Sequence, residues 1–311
     1  MGTLQMIVRR LGLGVFVMWG CVTLIFVIVR LAPGDQATVA LGPDATAAEV
    51  EAARERLGLD DPLPLQYLSY IGRVLALDFG DSYRLGQPAM DAVLDRFPST
   101  LQLALAAMAI AVVFGLILGC IAGGRPNGPV DRAMSAVAIS LQSFPTFWVG
   151  IMLILFFALN LRVLPSAGSG SLSHLVLPAV TLALPQIAIV ARLTRSSLAE
   201  SMQEAYVQTA RSKGLTEPQV LVGHALKNSL IPVVTIIGLQ TGVLLGGSVV
   251  VENVFAWPGL GSLIVDSVSA RDYSVVQAAA LLIAAVVVVL NLLADLTYAR
   301  LDPRIRVEAT G

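Results

Sequence analysis

The chain has 311 residues, of which 56% are hydrophobic and only 13% are charged. Its mean hydropathy is +0.79, whereas about a quarter of the residues of a soluble domain are charged. This composition excludes an ordinary soluble domain and indicates an integral membrane protein. The formal net charge of -1 says little by itself, because the placement of the charges along the chain carries the information.

Six long stretches of the chain carry almost no charged side chains. Roughly 20 apolar residues cross a hydrocarbon core of about 30 Å as a helix, and in lipid the backbone must satisfy its own hydrogen bonds. The first stretch exceeds the roughly 7–15 residues of a signal-peptide core, so we expect it to be an uncleaved helix. The sequence therefore predicts an all-α protein with six transmembrane helices, near 8–30, 98–123, 133–160, 174–192, 228–251 and 275–299.

The loops between these helices differ in charge. An even number of spans places both termini on one side, and the segments on that side hold 12 basic and 6 acidic residues. The opposite side holds 8 basic and 14 acidic residues. Because basic residues are enriched in cytoplasmic loops, we expect both termini in the cytoplasm. The predicted organisation is a first helix (1–31), an external loop (32–97) and a core of five helices (98–311) with a cytoplasmic loop (193–227).

The external loop has helix signals of its own. Thr46 and Glu49 form a capping-box pattern ahead of a short helix that should end at Gly58. A second apolar-periodic stretch follows near 67–75. Two interpretations stay open: a solvated cap over the helix ends, or a docking surface for an extracytoplasmic partner.

The cytoplasmic loop 193–227 reads as a helix, a turn and a second helix. The first helix should run to Lys213, with Gly214 as its C-terminal cap. Thr216 can cap the next helix, with Pro218 in its first turn. A segment this short cannot bury a core alone, so it needs a partner or packing against the rest of the chain.

At this loop the sequence resembles the Glu-Ala-Ala motif of ABC importer permeases, Glu-Ala-Ala-x3-Gly-x9-Ile-x-Leu-Pro. Aligned on Gly214, the matching residues are Ala210, Gly214 and Leu226, and the departures are Gln208, Thr209, His224 and Lys227. The variant Tyr206-x-x-Thr-Ala-Arg-x-Lys-Gly-Leu215 is similar to that of the dipeptide and oligopeptide permeases.

The resemblance covers nearly the whole chain. Further segments similar to that family are Asp78-Phe-Gly-Asp-Ser82, Ser143-Phe-Pro145, Val249-Val-Val-Glu-Asn-Val-Phe-Ala-Trp-Pro-Gly-Leu-Gly261, Arg271-Asp-Tyr273 and Leu301-Asp-Pro-Arg304. It implies the permease fold of type I ABC importers, in a bacterial inner membrane. It also implies that the loop 193–227 seats a coupling helix on an ATPase subunit.

The residues that this resemblance places at the ATPase contact are Tyr206, Thr209, Ala210, Arg211, Lys213, Gly214 and Leu215. The implied partners are a second homologous permease, two P-loop ATPase domains and a solute-binding protein, in addition to membrane lipid. A nucleic-acid partner is not expected. The implied function is to form half of a translocation pathway for di- or oligopeptides, with nickel or haem as alternative solutes.

The chain itself is not expected to be an enzyme. A Walker A loop needs a lysine directly after a glycine to hold phosphates, and neither Lys213 nor Lys227 follows one. ATP and magnesium would therefore be bound by the partner subunits, and no cofactor is expected here. A metal site is not expected either, because His174 and His224 lie far apart in the sequence.

Polar residues in membrane helices usually face protein or water. Gln142, Gln186 and Gln240 could bond between helices or line a passage for substrate. Glu252, Asn253 and Trp257 follow the fifth span. They could form a rigid turn with an interfacial tryptophan, or, from the resemblance, a gate or binding-protein contact.

Glycines recur every four residues in two spans, a spacing that lets helices approach closely. Packing within the chain and contact with a second permease both fit. The glycines are Gly115, Gly119 and Gly123 in the second span and Gly238, Gly242 and Gly246 in the fifth. Pro145 and the pair Pro178 and Pro185 should interrupt the third and fourth spans, as structural kinks or as hinges.

An ion-coupled secondary transporter is the alternative function. It would usually show internal repeats and an intramembrane ion site, and neither is evident in the sequence. An intramembrane hydrolase would need a base near Ser140 or Ser143, and no histidine or lysine is close in the sequence.

Overall fold

A computed structural model describes residues 3–31, 37–38, 45–57, 59–124 and 126–301. Five helices are long and apolar enough to cross a membrane, and a pair of helices bent by 96° supplies a sixth candidate span. The predicted all-α membrane fold is thereby confirmed, with the predicted six spans if the bent pair is counted as one span and five otherwise. Gly58, Arg125 and the terminal residues from Asp302 onward lie outside the described residues.

The helices are α1 (Thr3–Leu31), α2 (Ala47–Leu57), α3 (Leu63–Leu75), α4 (Ala89–Gly123), α5 (Pro129–Ser143), α6 (Thr146–Leu153), α7 (Leu172–Ser201), α8 (Ala205–Ser212), α9 (Glu217–Val220), α10 (Leu226–Gly247), α11 (Val249–Val254), α12 (Leu260–Ala270) and α13 (Tyr273–Leu301). A π-helical turn (Ile154–Asn160) continues α6, and another (Leu221–Ala225) joins α9 to α10. Two short strands, β1 (Asp81–Ser82) and β2 (Gln87–Pro88), pair antiparallel with Ser82 opposite Gln87.

Two membrane helices are longer than the charge pattern predicts. The second, α4, begins at Ala89 and carries Pro98 inside it, because its first turns bury Ala89 and Val93 while their charged neighbours face outward. The fourth, α7, continues to Ser201, because Leu198 is fully buried in a hydrophobic cluster. Charges on one helix face were therefore misleading as markers of the helix ends.

The third span is broken where its proline lies. Phe144 has an extended backbone (φ -89°, ψ 134°), which is the conformation expected directly before a proline. The helix ends at Ser143 and resumes at Thr146, so the interruption predicted at Pro145 is confirmed. In the fourth span, α7 continues through both of its prolines without a break, and a kink or hinge at these prolines stays a prediction.

The chain forms two compact units. Unit 1 comprises Met1–Val8, Leu101–Trp257 and Val289–Gly311, and unit 2 comprises Arg9–Thr100 and Pro258–Val288. In unit 1, α7 is the central element, because α5, α6, α10 and α11 all pack against it. Of the five single-helix spans, α7 has the most buried apolar stretch.

Unit 2 contains most of α1, the predicted external loop and α12. One of its clusters joins Ala89 and Val93 of α4 to Leu260 and Leu263 of α12 and Val275 of α13. The predicted capping box is confirmed: the Thr46 amide donates to Glu49 (2.8 Å), and the Glu49 amide donates to the Thr46 hydroxyl oxygen (3.4 Å). The side-chain and backbone hydrogen bonds from Thr46 lower the pKa of Glu49.

Candidate functional site

The predicted helix–turn–helix segment is present between α7 and α10, and it rests on its own hydrophobic cluster. Val207 and Ala210 of α8 pack with Val220, Ala225 and Leu198. All five side chains are at most 5% exposed. The hydrophobic cluster therefore fixes the shape of the segment within this chain, and it supports the outward face of α8 from the buried side.

The turn between α8 and α9 depends on Gly214, whose φ of +79° is a left-handed conformation that favours glycine. A bidentate ion pair spans the turn, with Arg211 Nε 2.9 Å from Glu217 Oε1 and Arg211 Nη2 3.1 Å from Oε2. Thr216 and Gln219 form a capping box at the start of α9. The predicted helix, glycine turn and second helix are all confirmed.

The outward face of α8 is built from Ala205, Gln208, Thr209 and Ser212, which are all exposed. Thr209 donates its hydroxyl hydrogen to the Ala205 carbonyl oxygen (3.0 Å), and Ser212 donates to that of Gln208 (3.0 Å). Both hydroxyls therefore have partners within the helix, and apart from Gln208 the face carries only short side chains. Such a face suits insertion into a groove.

The seven residues predicted at the ATPase contact occupy three kinds of position. Tyr206, Thr209, Lys213 and Gly214 are exposed, and Arg211 is held by its ion pair. Ala210 is buried and Leu215 packs against the cluster below α8, so both lie beneath the outer surface. Ala205, Gln208 and Ser212 were not among the predicted residues, although their three- and four-residue spacing marks one helix face.

Two of the predicted polar residues meet inside unit 1. The Gln240 side-chain amide on α10 donates a 2.8 Å hydrogen bond to the Gln186 side-chain oxygen on α7. Gln186 is 7% exposed. Gln142 is instead exposed, in the last turn of α5 before the break. Gln186 and Gln240 therefore form a hydrogen bond between two helices. The exposed Gln142 could line a passage for substrate or contact a neighbouring subunit.

The segment after the fifth span is mostly buried. Glu252 is fully buried and accepts a hydrogen bond from the Ser248 hydroxyl (2.8 Å). Trp257 is 4% exposed, and its amide donates to the Glu252 carbonyl oxygen (2.8 Å). Asn253 is exposed and donates to the Val249 carbonyl oxygen (2.8 Å). The interpretation of Trp257 as an exposed interfacial anchor is wrong, because the turn folds its ring into the protein.

The glycine stripe of α4 packs within the chain. A Cβ added at Gly119 would lie 2.5 Å from Thr194 Cβ, and one at Gly115 would lie 2.7 Å from Val190 Cβ, both on α7. On α10 a Cβ added at Gly238 would lie 2.7 Å from Ala294 Cβ. Gly242 is buried, whereas Gly246 is exposed with no described atom within 4 Å of an added Cβ.

An ion pair that the sequence did not suggest fixes the start of α5. Asp131, 3% exposed, accepts bonds from Arg195 Nε (3.0 Å) and Nη2 (2.6 Å) of α7. Asp131 also accepts hydrogen bonds from the backbone amide of Asn127 (2.8 Å) and from the Ser135 hydroxyl (3.4 Å). This bidentate arrangement locks one half of the broken span to the helix that leads into α8.

A hydrogen bond between residues that are distant in the sequence also lies in unit 2. The Ser82 hydroxyl donates to Asp272 Oδ2, and both residues are buried. The Tyr83 hydroxyl also donates to the Ala270 carbonyl oxygen. Two of the segments quoted for the family resemblance, around residues 78–82 and 271–273, therefore form one contact.

The fold of the chain is similar to that of chains in solved ABC transporters. An inward-facing structure of the MetNI methionine ABC transporter matches with a TM-score of 0.59 at 19% identity, covering 68% of this chain and 96% of that one. A crystal structure of an amino acid ABC transporter with histidines matches with a TM-score of 0.52 at 18% identity, covering 68% and 94%. The fold is thus that of a chain found in solved ABC transporters.

The sequence comparisons then give the family. Residues 115–307 match the model of the binding-protein-dependent transport system inner membrane component, and residues 3–104 match that of its N-terminal region. The glutathione transport system permease proteins GsiC of Escherichia coli strain K12 and of Pectobacterium atrosepticum are each 45% identical over 283 residues, covering 91% of this chain and 92% of each relative. The chain belongs to this family of ABC importer permeases and is a multi-pass inner-membrane protein.

Proposed function

We propose that the chain forms half of the translocation pathway of an ATP-driven importer for di- or oligopeptides, including small peptide-like solutes. The support for this substrate class is the 45% identity to permeases of glutathione transport systems. The complete importer would contain a second, homologous permease, two P-loop ATPase domains that bind ATP and magnesium, and a solute-binding protein. This chain contributes no catalytic residue of its own.

The outward face of α8 is the proposed ATPase contact, and its geometry carries the proposal. The face is exposed, its hydroxyls are internally bonded, and Val207 and Ala210 fix it from beneath. A helix that is supported in this way can bind in a groove of a partner protein and move with that groove. Among the predicted residues, Thr209 is the one that lies on that face.

The coupling proposal is tested by placing a bulky cation on the face. We expect Thr209→Arg to abolish copurification of the ATPase subunit and ATP-dependent uptake, because the side chain cannot fit between two close surfaces. Glu51→Arg, on the exposed surface of α2, is the matched control and should preserve both. Retained ATPase binding and uptake in Thr209→Arg would reject α8 as the contact.

The substrate proposal is tested by uptake into liposomes that contain the complete importer and its solute-binding protein. We expect ATP-dependent uptake of glutathione or of di- and tripeptides, with no uptake of nickel or haem. Uptake of nickel or haem alone would assign those solutes instead. Peptide uptake driven by an ion gradient without ATP would favour a secondary transporter.

The second permease and the orientation are separate parts of the proposal. Mass spectrometry of the purified complex should find a second six-span protein, and finding two copies of this chain would replace the heteromeric assembly. For orientation, a C-terminal fusion to green fluorescent protein should fluoresce and a fusion to alkaline phosphatase should be inactive. The opposite result would place the termini outside the cytoplasm.

A further inference from the structure

Helix α3 carries apolar side chains on both of its sides: Tyr70, Ile71 and Val74 pack inward, and a row of leucines faces outward. Leu65, Leu68 and Leu75 are 54%, 63% and 79% exposed, and with Gly72 they form one row along the helix. The polar residue Gln66 is buried on the opposite side. No charged side chain interrupts the row. An amphipathic helix in water would instead present polar side chains on its outward side.

The buried side of α3 packs along the membrane helix α1. The Tyr67 hydroxyl lies 2.5 Å from the Thr23 hydroxyl oxygen. The Phe26 ring is 5.1 Å from that of Tyr67 and 5.5 Å from that of Tyr70. Tyr70 also belongs to a buried cluster with Phe26 and Leu281 of α13.

These contacts lie below the ends of two membrane helices. The apolar stretch Val8–Leu31 has 24 residues, which at 1.5 Å per residue is about 36 Å, against a hydrocarbon core of about 30 Å. By the same rise, Thr23 is about 12 Å from the end of α1, and Leu281 is about 12 Å from the start of α13. Even if all the excess length projected at this end, Thr23 would remain within the hydrocarbon region.

The start of α3 is held by polar groups closer to the membrane surface. Arg30, in the last turn of α1, donates from Nε to the Gln66 side-chain oxygen (2.9 Å). The Gln66 amide donates to the carbonyl oxygens of Leu59 (2.8 Å) and Asp61 (2.7 Å). A helix anchored in this way, with leucines facing outward, has the character of an interfacial membrane helix, which inserts about 5–10 Å.

We propose that α3 is embedded in the membrane leaflet at the Leu31 end of α1, with Leu65, Leu68 and Leu75 in contact with lipid acyl chains. Lipid is the proposed occupant because the row lies on a helix packed at the depth of the hydrocarbon core and carries no charge. This interpretation replaces both sequence-based ones for the 67–75 stretch, a solvated cap and a protein docking surface. It holds whichever solute is transported.

The test uses nitroxide labels on the complete importer in liposomes of phosphatidylethanolamine and phosphatidylglycerol. The two cysteines, Cys21 and Cys120, are replaced by alanine, and single cysteines are introduced as Leu65→Cys, Leu68→Cys and Leu75→Cys. Electron paramagnetic resonance then measures accessibility to oxygen, which concentrates in lipid, and to a water-soluble nickel chelate. Val15→Cys, 69% exposed within α1, is the lipid reference, and Glu51→Cys on α2 is the water reference.

The three labels on α3 should follow the lipid reference, with an oxygen-to-nickel accessibility ratio several-fold above that of Glu51→Cys. Adding the solute-binding protein should leave this ratio unchanged. A ratio equal to that of the water reference would show a solvated helix. Exclusion of both reagents, with or without the binding protein, would show a protein contact. Either result would overturn the proposal.

Discussion

Gln240 of α10 and Gln186 of α7 are joined by a 2.8 Å hydrogen bond between their side-chain amides. The bond lies between two helices on either side of the segment that carries α8. In a membrane protein an unpaired amide at this depth would be costly. The pair therefore stabilises the contact between α7 and α10, in addition to any contact it makes with a passing solute.

Breaking this pair should cost stability that a second substitution restores. We expect Gln240→Leu to lower the free energy of unfolding by about 0.6–1.7 kcal/mol, the range for hydrogen bonds between membrane helices. The double variant Gln186→Leu with Gln240→Leu should recover most of the loss, because no amide remains unpaired. Denaturation of the purified protein gives both values. Gln142→Leu, which is exposed, serves as the control, and additive losses in the double variant would refute the coupling.

The close approach of α4 to α7 predicts that Gly119 tolerates no side chain. Because a Cβ there would lie 2.5 Å from Thr194 Cβ and 2.7 Å from the Ala191 carbonyl oxygen, we expect Gly119→Ala to destabilise the protein by about 1–3 kcal/mol. Gly246→Ala has open space and should be neutral or slightly stabilising. Unfolding in a denaturing detergent measures both. Equal stability of the two variants would contradict the helix contact.

The ion pair at the start of α5 should be sensitive to charge removal. We expect Asp131→Asn to cost about 1–2 kcal/mol, because the buried Asp131 loses a charge-assisted bond to an arginine side chain that is one-third exposed. Arg195→Lys should cost less but should still lose the bidentate geometry. Thermal denaturation of the purified complex is the measurement. Glu200→Gln, an exposed acid on α7, is the control, and an Asp131→Asn variant as stable as this control would refute the role of the pair.

In unit 2, the bond between Ser82 and Asp272 should hold the β1–β2 hairpin. We expect Ser82→Ala to increase amide hydrogen exchange in residues 81–88 severalfold, since the buried carboxylate loses a donor. Asp266→Asn is the matched control, because its pair with Arg84 is long (3.9 Å) and its side chain is 59% exposed. Unchanged exchange in Ser82→Ala would show that the strand pairing alone holds the hairpin.

Local chemistry made much of this fold predictable. Charge-free stretches marked the spans because lipid excludes charged groups, and Gly214 marked a turn because glycine readily adopts a positive φ. Pro145 marked the break in the third span because the residue before a proline avoids helical geometry. Each of these features depends on a few adjacent residues, which a single sequence displays.

Features that depend on distant residues could not be predicted. Asp131 and Arg195 are 64 residues apart, and nothing near either one indicates its partner. The burial of Trp257 and Ala210 likewise depends on surrounding elements, so both were assigned to surfaces. The exposed face of α8 was only partly identified. A motif resemblance indicates which positions belong to the contact segment, but it does not show which side of the helix is exposed.

The π-helical turn between α9 and α10 makes Glu217–Gly247 one helical run of 31 residues, about 46 Å long. The run continues through this turn and through Pro232 without a break in the helix, so its base, next to Gly214, and Gln240 in the membrane belong to one continuous helical element. A tilt applied at the base would therefore displace Gln240 by an amount that grows with the length between them. A small displacement of the segment at Gly214 would therefore produce a larger displacement of Gln240 in the interior of the membrane.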